Sequence, residues 1–278
     1  MEKHIPRIKR KGDRRRIVST YNIVFLKSMK AKFSYRSTIF FSIISAVLSF
    51  YIQINLWQAL INIDPNAIAI EEMISFILIN SVVLTLSRAN IESNIETSVI
   101  DGSVALHFLR PISYKWYLFS EIMGGNIVKV ITDIIPVLII SSIFYKVVIV
   151  TSILRLFYFI IMLVIGIFIM FELSYVVGLL AFWIERCWFL HWYLRAFTTF
   201  FGGTLIPLWF YPASLYKISY CLPFRYITFE PINVYLGKTP FEQANYLIII
   251  GLAWIFALSA LGRFLWSLAT RKFTVNGG

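Results

Sequence analysis

Long apolar runs separated by short polar stretches organise this 278-residue chain. The first run extends from about Ser37 to Leu60 and carries no charge, and the second, from about Ala67 to Ser87, has Glu71 and Glu72 at its start. A third covers about Trp116 to Tyr145 and is interrupted by Glu121, Lys129, Asp133 and Pro136. The fourth, Leu156 to Ile184, holds Glu172 as its one charge; the fifth begins near Trp192 and is broken around Gly202, Gly203 and Pro207; the sixth runs from about Gln243 to Gly262. A membrane-crossing helix needs about 20 mainly apolar residues, and these runs are continuous instead of alternating in ten-residue segments, which predicts helices and not barrel strands. The expected fold is therefore an all-α integral membrane protein with six transmembrane helices, in a single transmembrane domain spanning residues 1–278. Composition agrees: 59% hydrophobic against 14% charged residues is too apolar for a soluble domain that must clothe its own core.

Charge sets the expected orientation. Twelve of the 26 lysines and arginines precede the first run, from Lys3 to Arg36, which predicts a cytosolic N-terminus. Six crossings return the C-terminus to the same side. The cytosolic side then also holds Arg88, Arg110, Lys115, Arg186, Arg195, Arg263, Arg271 and Lys272, against Lys146, Arg155, Lys217, Arg225 and Lys238 outside. This asymmetry accounts for the net charge of +12 without nucleic acid. The polar, basic start contains no cleavable signal pattern, so the first span is expected to act as its own targeting signal. Cys187 and Cys221 fall on opposite sides of the membrane and are expected to be inert. The Ile- and Lys-rich composition suits a bacterial plasma membrane.

Within the basic arm, residues 1–36, Val18, Tyr21, Phe25, Met29 and Phe33 recur at three- and four-residue spacing and form one apolar stripe. That pattern predicts an amphipathic helix in the cytosolic interface, either anchored to anionic lipid or packed on a cytosolic partner. Between the second and third runs lies a polar insert, residues 91–115, with Glu92, Glu96 and Asp101, then Gly102, a short amphipathic run of Val104, Leu106, Phe108 and Leu109, and a stop at Arg110-Pro111. It is read either as an ordinary connection or as a short helix presented to a soluble protein.

The acidic residue, Ile-Asp-Gly and Phe-Leu-Arg-Pro-Ile-Ser-Tyr sequence of that insert resembles the membrane subunits of ATP-binding-cassette exporters of the second type. Pro207-Leu-Trp-Phe-Tyr-Pro212, then Cys221-Leu-Pro-Phe224, Pro231 and Gly237, is similar to the same family's segment before its last span. The likeness covers most of the chain and is nearest to the branch in which two different permeases occur beside one ATPase. It implies that two permeases, identical or paralogous, pair around a pathway and that each docks an ATP-binding subunit, two copies in all. The docking element would be a coupling helix between the second and third spans, placing Glu96, Asp101, Gly102, Leu106, Leu109, Arg110 and Pro111 at or near it. Short re-entrant outer helices would occupy residues 203–242, where Pro207, Pro212, Pro223 and Pro231 break the backbone; broken backbone at membrane depth needs burial in protein or a water-lined cavity.

The chain carries no phosphate-binding loop of its own. Gly124-Gly-Asn-Ile-Val-Lys129 is the nearest approach and lacks the second glycine before the lysine, so ATP and Mg are assigned to the partner ATPase and no cofactor to this chain. The three histidines, His4, His107 and His191, are scattered, and neither a metal-ligand cluster nor a hydrolase motif is present, which argues against an enzyme. Charges within spans are costly and are the natural pathway candidates. Lys129 and Asp133, four apart, share a helix face and can neutralise each other or serve gating. Glu172, near the middle of its run, must face protein or water or be protonated. The aromatics Trp116, Tyr117, Trp183, Trp188, Trp192, Tyr193 and Trp209 to Tyr211 suit interfacial belts, with Phe200, Phe201, Trp209 and Phe210 as candidates for a lateral gate. The functional expectation is the transmembrane subunit of an ATP-driven exporter of a peptide, drug-like amphiphile or lipid-like molecule. The alternative is an ATP-independent channel or secondary transporter using Lys129, Asp133 and Glu172.

Overall fold

The computed structural model describes residues 11–63, 69–147, 152–184, 186 and 188–272. Lys3 to Arg10, Ala67 and Cys187 lie outside the described residues, while Cys221 is a free, exposed thiol. All regular structure among the described residues is helical. In chain order, α1 is Lys11–Phe33, α2 Arg36–Ile63, α3 Ile70–Ser87, α4 Glu92–Ile100 and α5 Val104–Leu109. They are followed by α6 Tyr114–Lys129, α7 Ile135–Phe144, α8 Ile153–Leu179 and α9 Trp188–Phe201. The chain ends with α10 Ala213–Tyr220, α11 Phe229–Leu236 and α12 Phe241–Lys272.

Five stretches, Arg36–Ile61, Ile70–Ile100, Tyr114–Phe144, Ile153–Phe182 and Phe241–Lys272, are long and apolar enough to cross a membrane. They match five of the six apolar runs of the sequence. The run starting near Trp192 behaves differently: its helix, α9, has 14 residues, or about 21 Å, and is too short to cross alone. Gly202 and Gly203 end it, as Gly203 adopts φ 66°, a left-handed conformation that suits glycine.

Packing fixes the directions of the long helices. Tyr158 meets Phe241 at 5.3 Å between ring centroids and donates to Asn245 Oδ1 at 2.9 Å, while Phe182 meets Trp266 at 6.2 Å, so α8 and α12 run parallel. Gly251 and Gly262 make their close approach possible, since a Cβ would sit 2.6 Å from Ile165 and 3.2 Å from Tyr175. Ser42 with Asp133 and Phe50 with Tyr145 make α2 parallel to α6 and α7 in the same way. Two parallel neighbours separated by residues 183–240 require the intervening chain to travel back along the bundle. It does so in pieces. Helix α9 starts beside α4, where His191 faces Glu92, and ends at Gly202, opposite Thr228 and Phe224. Phe210 then stacks on Trp57 near the end of α2 (5.3 Å), and the chain returns inward so that the carbonyls of Tyr226 and Ile227 press on Gly166, half-way along α8. Helix α11 leads out again to Gly237, beside Arg155, and Lys238, which pairs with Glu72 at 2.7 Å. Leu208, Tyr226, Ile227, Phe229 and Ile232 are all almost fully buried, so this irregular segment is enclosed by protein.

The third long element has a built-in irregularity. Pro136 has no N–H for the preceding turn, and residues Val130–Ile134 widen into a π-turn before α7. Along its first half, α6 carries α1 lengthwise: Gly124 lies so close to the Phe25 carbonyl that a Cβ would be 2.4 Å away, and Ser28 donates to the Glu121 carbonyl at 2.6 Å. Tyr21, Phe25 and Met29 of the expected stripe are partly covered, whereas Val18 and Phe33 at its ends are exposed. The glycine pair that fails as a phosphate loop thus serves as a helix-packing site.

Candidate functional site

The polar insert folds as two short helices at one end of the bundle. Helix α3 stops at Ser87 and the chain becomes extended at Arg88; Asn126 Nδ2 donates to the carbonyls of Leu86 (3.0 Å) and Arg88 (2.7 Å), satisfying groups that a helix end leaves open. Helix α4 then lies on α8, with Ile95 filling the space over Gly178, where a Cβ would be 2.7 Å from its Cδ1. The turn into α5 is shaped by Asp101, whose Oδ1 accepts the Ser103 N–H at 2.8 Å, and by Gly102 at φ 74°. Ser103, through its hydroxyl and its N–H, holds the Asp101 carboxyl below the usual carboxylate range. Val104 anchors α5 inward, while Leu106 and Leu109 are 55% and 83% exposed, next to exposed Arg110 and Pro111. Of the acidic residues expected at this surface, Glu96 is turned inward and buried. His107 packs against the rings of Tyr114 and Tyr117, and burial, followed by the nearby Arg110, lowers its pKa.

Behind α4, a cleft of about 290 Å³ opens between α3, α8 and α9. Its wall sets several polar side chains into apolar surface: Asn80, Ser87, Arg88, Glu92, His191, Arg195 and Thr198 all line it. Asn80 Nδ2 donates to the Thr204 carbonyl at 2.9 Å, yet its Oδ1 and the Ser87 hydroxyl are buried without a partner among the described residues. Glu92 is buried with His191 Nδ1 3.6 Å from its Oε2, too long for a hydrogen bond. Arg88 and Arg195 are exposed, and Arg195 also borders a second, apolar groove of about 700 Å³. Such an arrangement can hold a polar or charged group while an apolar body lies alongside.

Of the two sequence expectations about buried charge, one fails and one is met. Lys129 and Asp133 form no ion pair: Asp133 Oδ1 instead accepts the hydroxyls of Ser42 (2.7 Å) and Thr132 (2.6 Å). The hydroxyls of Ser42 on α2 and of the neighbouring Thr132 thus take up the carboxylate oxygen that a lysine partner would have used. Glu172, seven residues before the end of α8, faces protein and is paired: Lys115 Nζ lies 2.6 Å from Oε1 and 2.7 Å from Oε2, with Ser259 Oγ at 3.1 Å from Nζ. One ammonium thus ties the start of α6 to α8 and α12.

A family model described as ABC-2 family transporter protein matches residues 66–277. The chain belongs to this family. A search of characterised proteins gives no significant individual match. Family membership and the five apolar helices make it a multi-pass membrane protein and a transmembrane subunit of an ABC transporter. Subunits of this kind are typically non-catalytic and associate with an ABC ATP-binding subunit.

Within this ABC-2 family protein the four aromatic gate candidates separate. Phe200 and Phe210 line the apolar groove; Phe201 lies behind it, 6.3 Å from Phe224; Trp209 packs on Phe76 at 5.2 Å with the Lys238 ammonium 3.9 Å above its ring. Several structural residues were not visible from the sequence. Arg225 and Glu230, 1% and 2% exposed, form a buried ion pair, Nε to Oε1 at 2.6 Å, with Tyr220 4.5 Å from the guanidinium carbon. A basic and an acidic residue five apart among prolines gave no periodic signal. Lys115 read as a topological flank, and Asn126 as part of a failed nucleotide motif. A lone asparagine between glycines and a helix-breaking bend offered the one available hint.

Proposed function

We propose that the chain is one permease half of an ATP-driven exporter, with the α4–α5 end in the cytosol and ATP and Mg held by two partner ATPase subunits. The observation that carries this reading is the physical continuity between the exposed apolar surface of α5 and a polar cleft. Leu106 and Leu109 project from α5, while α4, in the same unit, packs on α8 through Gly178 and faces α9 through Glu92 and His191. A push on α5 therefore moves the walls of the cleft. Helix α9 and the broken segment after it act together as a sixth crossing, in which residues 203–242 form the re-entrant outer part. The exposed guanidinium of Arg195 on α9 is too costly to face lipid tails, so this face meets a second permease, identical or paralogous, and the pathway runs between them. The substrate is an amphiphile, peptide, drug-like or lipid-like, whose apolar body follows Phe200 and Phe210.

Reconstitution of the permease into vesicles, with and without its ATPase, tests the reading. ATP-dependent movement of a fluorescent amphiphile that requires both components supports it. Full ATP-independent transport by the permease alone favours the channel or secondary-transporter alternative.

A further inference from the structure

A third opening, of about 310 Å³, lies at the α4–α5 end, separate from the polar cleft. It is far larger than the 10–15 Å³ or so that admits one water. Four elements enclose it: the turn after α5 with Arg110, the first residues of α6, α8 through Tyr175, and α12 through Gly262, Arg263 and Trp266. No acidic side chain lines it. Lys115 is committed to Glu172 and Ser259, but the Arg110 guanidinium meets no acceptor among the described residues, and Arg263 uses only Nε, on the Ser259 carbonyl at 3.4 Å. Helix α6, 16 residues long, begins here without a side-chain cap, so its first N–H groups add a fixed positive end beside the Arg110 guanidinium and the two remaining nitrogens of Arg263.

We propose that this cavity binds a phosphate-bearing anion, held between Arg110 and Arg263 at the start of α6. Arginine forks and an open helix N-terminus are the groups that match phosphate oxygens. The most direct supply is the headgroup of an anionic phospholipid, because the pocket opens where α6, α8 and α12 leave the apolar zone; that source rests on this end lying at the membrane surface. The same chemistry can come from soluble phosphate. Exposed Leu106 and Leu109 point to a protein surface, whereas the Tyr175 and Trp266 walls of this cavity sit within the bundle. A bound headgroup would bridge the turn after α5 to α12 and stiffen the element that bears the docking leucines.

The test is lipid retention by the full-length purified chain without its ATPase, read by native mass spectrometry. Phosphatidylglycerol and phosphatidylcholine are titrated from mixed micelles, and inorganic phosphate is added in excess as a competitor. Wild type should retain phosphatidylglycerol preferentially, and R110Q/R263Q should bind it about tenfold more weakly or worse, given the strength of charged hydrogen bonds. R110K/R263K should keep a large part of the affinity, and R271Q, which removes a charge outside the cavity, should stay within about twofold of wild type. Displacement by inorganic phosphate assigns the site to a soluble anion; resistance to it assigns the site to lipid. Equal retention of the two lipids by wild type together with no binding of phosphate, or equal losses in R110Q/R263Q and R271Q, would overturn the proposal. Because no ATPase is present, its outcome is independent of the exporter reading.

Discussion

Two ion pairs lie at different depths of the bundle, one fully and one largely buried, and they are built for different purposes. Arg225 and Glu230 are five residues apart and 1% and 2% exposed, with Tyr216, Tyr220 and Phe229 around the guanidinium. This pair pins one short segment into a fixed shape and lines none of the three cavities described above. Lys115 and Glu172 are 57 residues apart, join α6 to α8 and reach Ser259 on α12, and lie beside an open basic cavity next to the exposed α5. A local pair of the first kind holds an irregular, protein-enclosed segment in one conformation; a long-range pair of the second kind ties together the helices that a docked partner would move.

Removing one partner from each pair should separate these roles. Arg225→Met, which leaves Glu230 buried and alone, should cost about 3–5 kcal/mol and lower the thermal midpoint sharply, while Arg225→Met/Glu230→Leu should recover much of it. A small effect of the single change would mean that water reaches Glu230. Glu172→Gln should cost less, about 1.5–3 kcal/mol, because Lys115 keeps Ser259 and partial access to water. ATP-driven transport should fall further than this loss of stability explains; equal losses in both would make the pair merely structural. Leu109→Asp, at an 83% exposed position, should leave thermal stability unchanged and weaken ATPase association about tenfold. A change in stability with normal association would remove α5 from the docking surface. The smallest effect is expected at Gly102→Ala, where φ 74° makes the substitution cost about 1 kcal/mol in unfolding although nothing lies within 4 Å of the new methyl group.

The parts of the fold that sequence reveals are those governed by local pattern. Five apolar runs became long helices because lipid demands an uninterrupted apolar surface, and the position of Gly102 gave the turn into α5 away. The fifth run misled for the same reason: its hydropathy continues past Phe201, but Gly202, Gly203 and Pro207 stop the helix and the apolar residues beyond bury themselves in protein. Lys129 and Asp133 had the spacing of a pair, but Asp133 is engaged by the hydroxyls of Ser42, on another helix, and Thr132. Lys115 with Glu172, Asn126 with the end of α3, and Gly124 with Phe25 are contacts across 57, 38 to 40 and 99 residues, and no periodicity encodes them. Of the expected coupling residues, those on the outer face of α5 and its exit are exposed, whereas Glu96 points inward.

The most direct measurement is site-directed crosslinking in the assembled transporter, with Cys187 and Cys221 changed to serine and a single cysteine introduced at either position 109, at the tip of α5, or position 210, in the apolar groove. Crosslinking of the ATPase to Leu109→Cys and not to Phe210→Cys is expected. An ATPase that crosslinks only to Phe210→Cys, or normal ATP-driven transport with neither crosslink forming, would contradict the assignment of α5 as the place where the ATPase engages the membrane subunit.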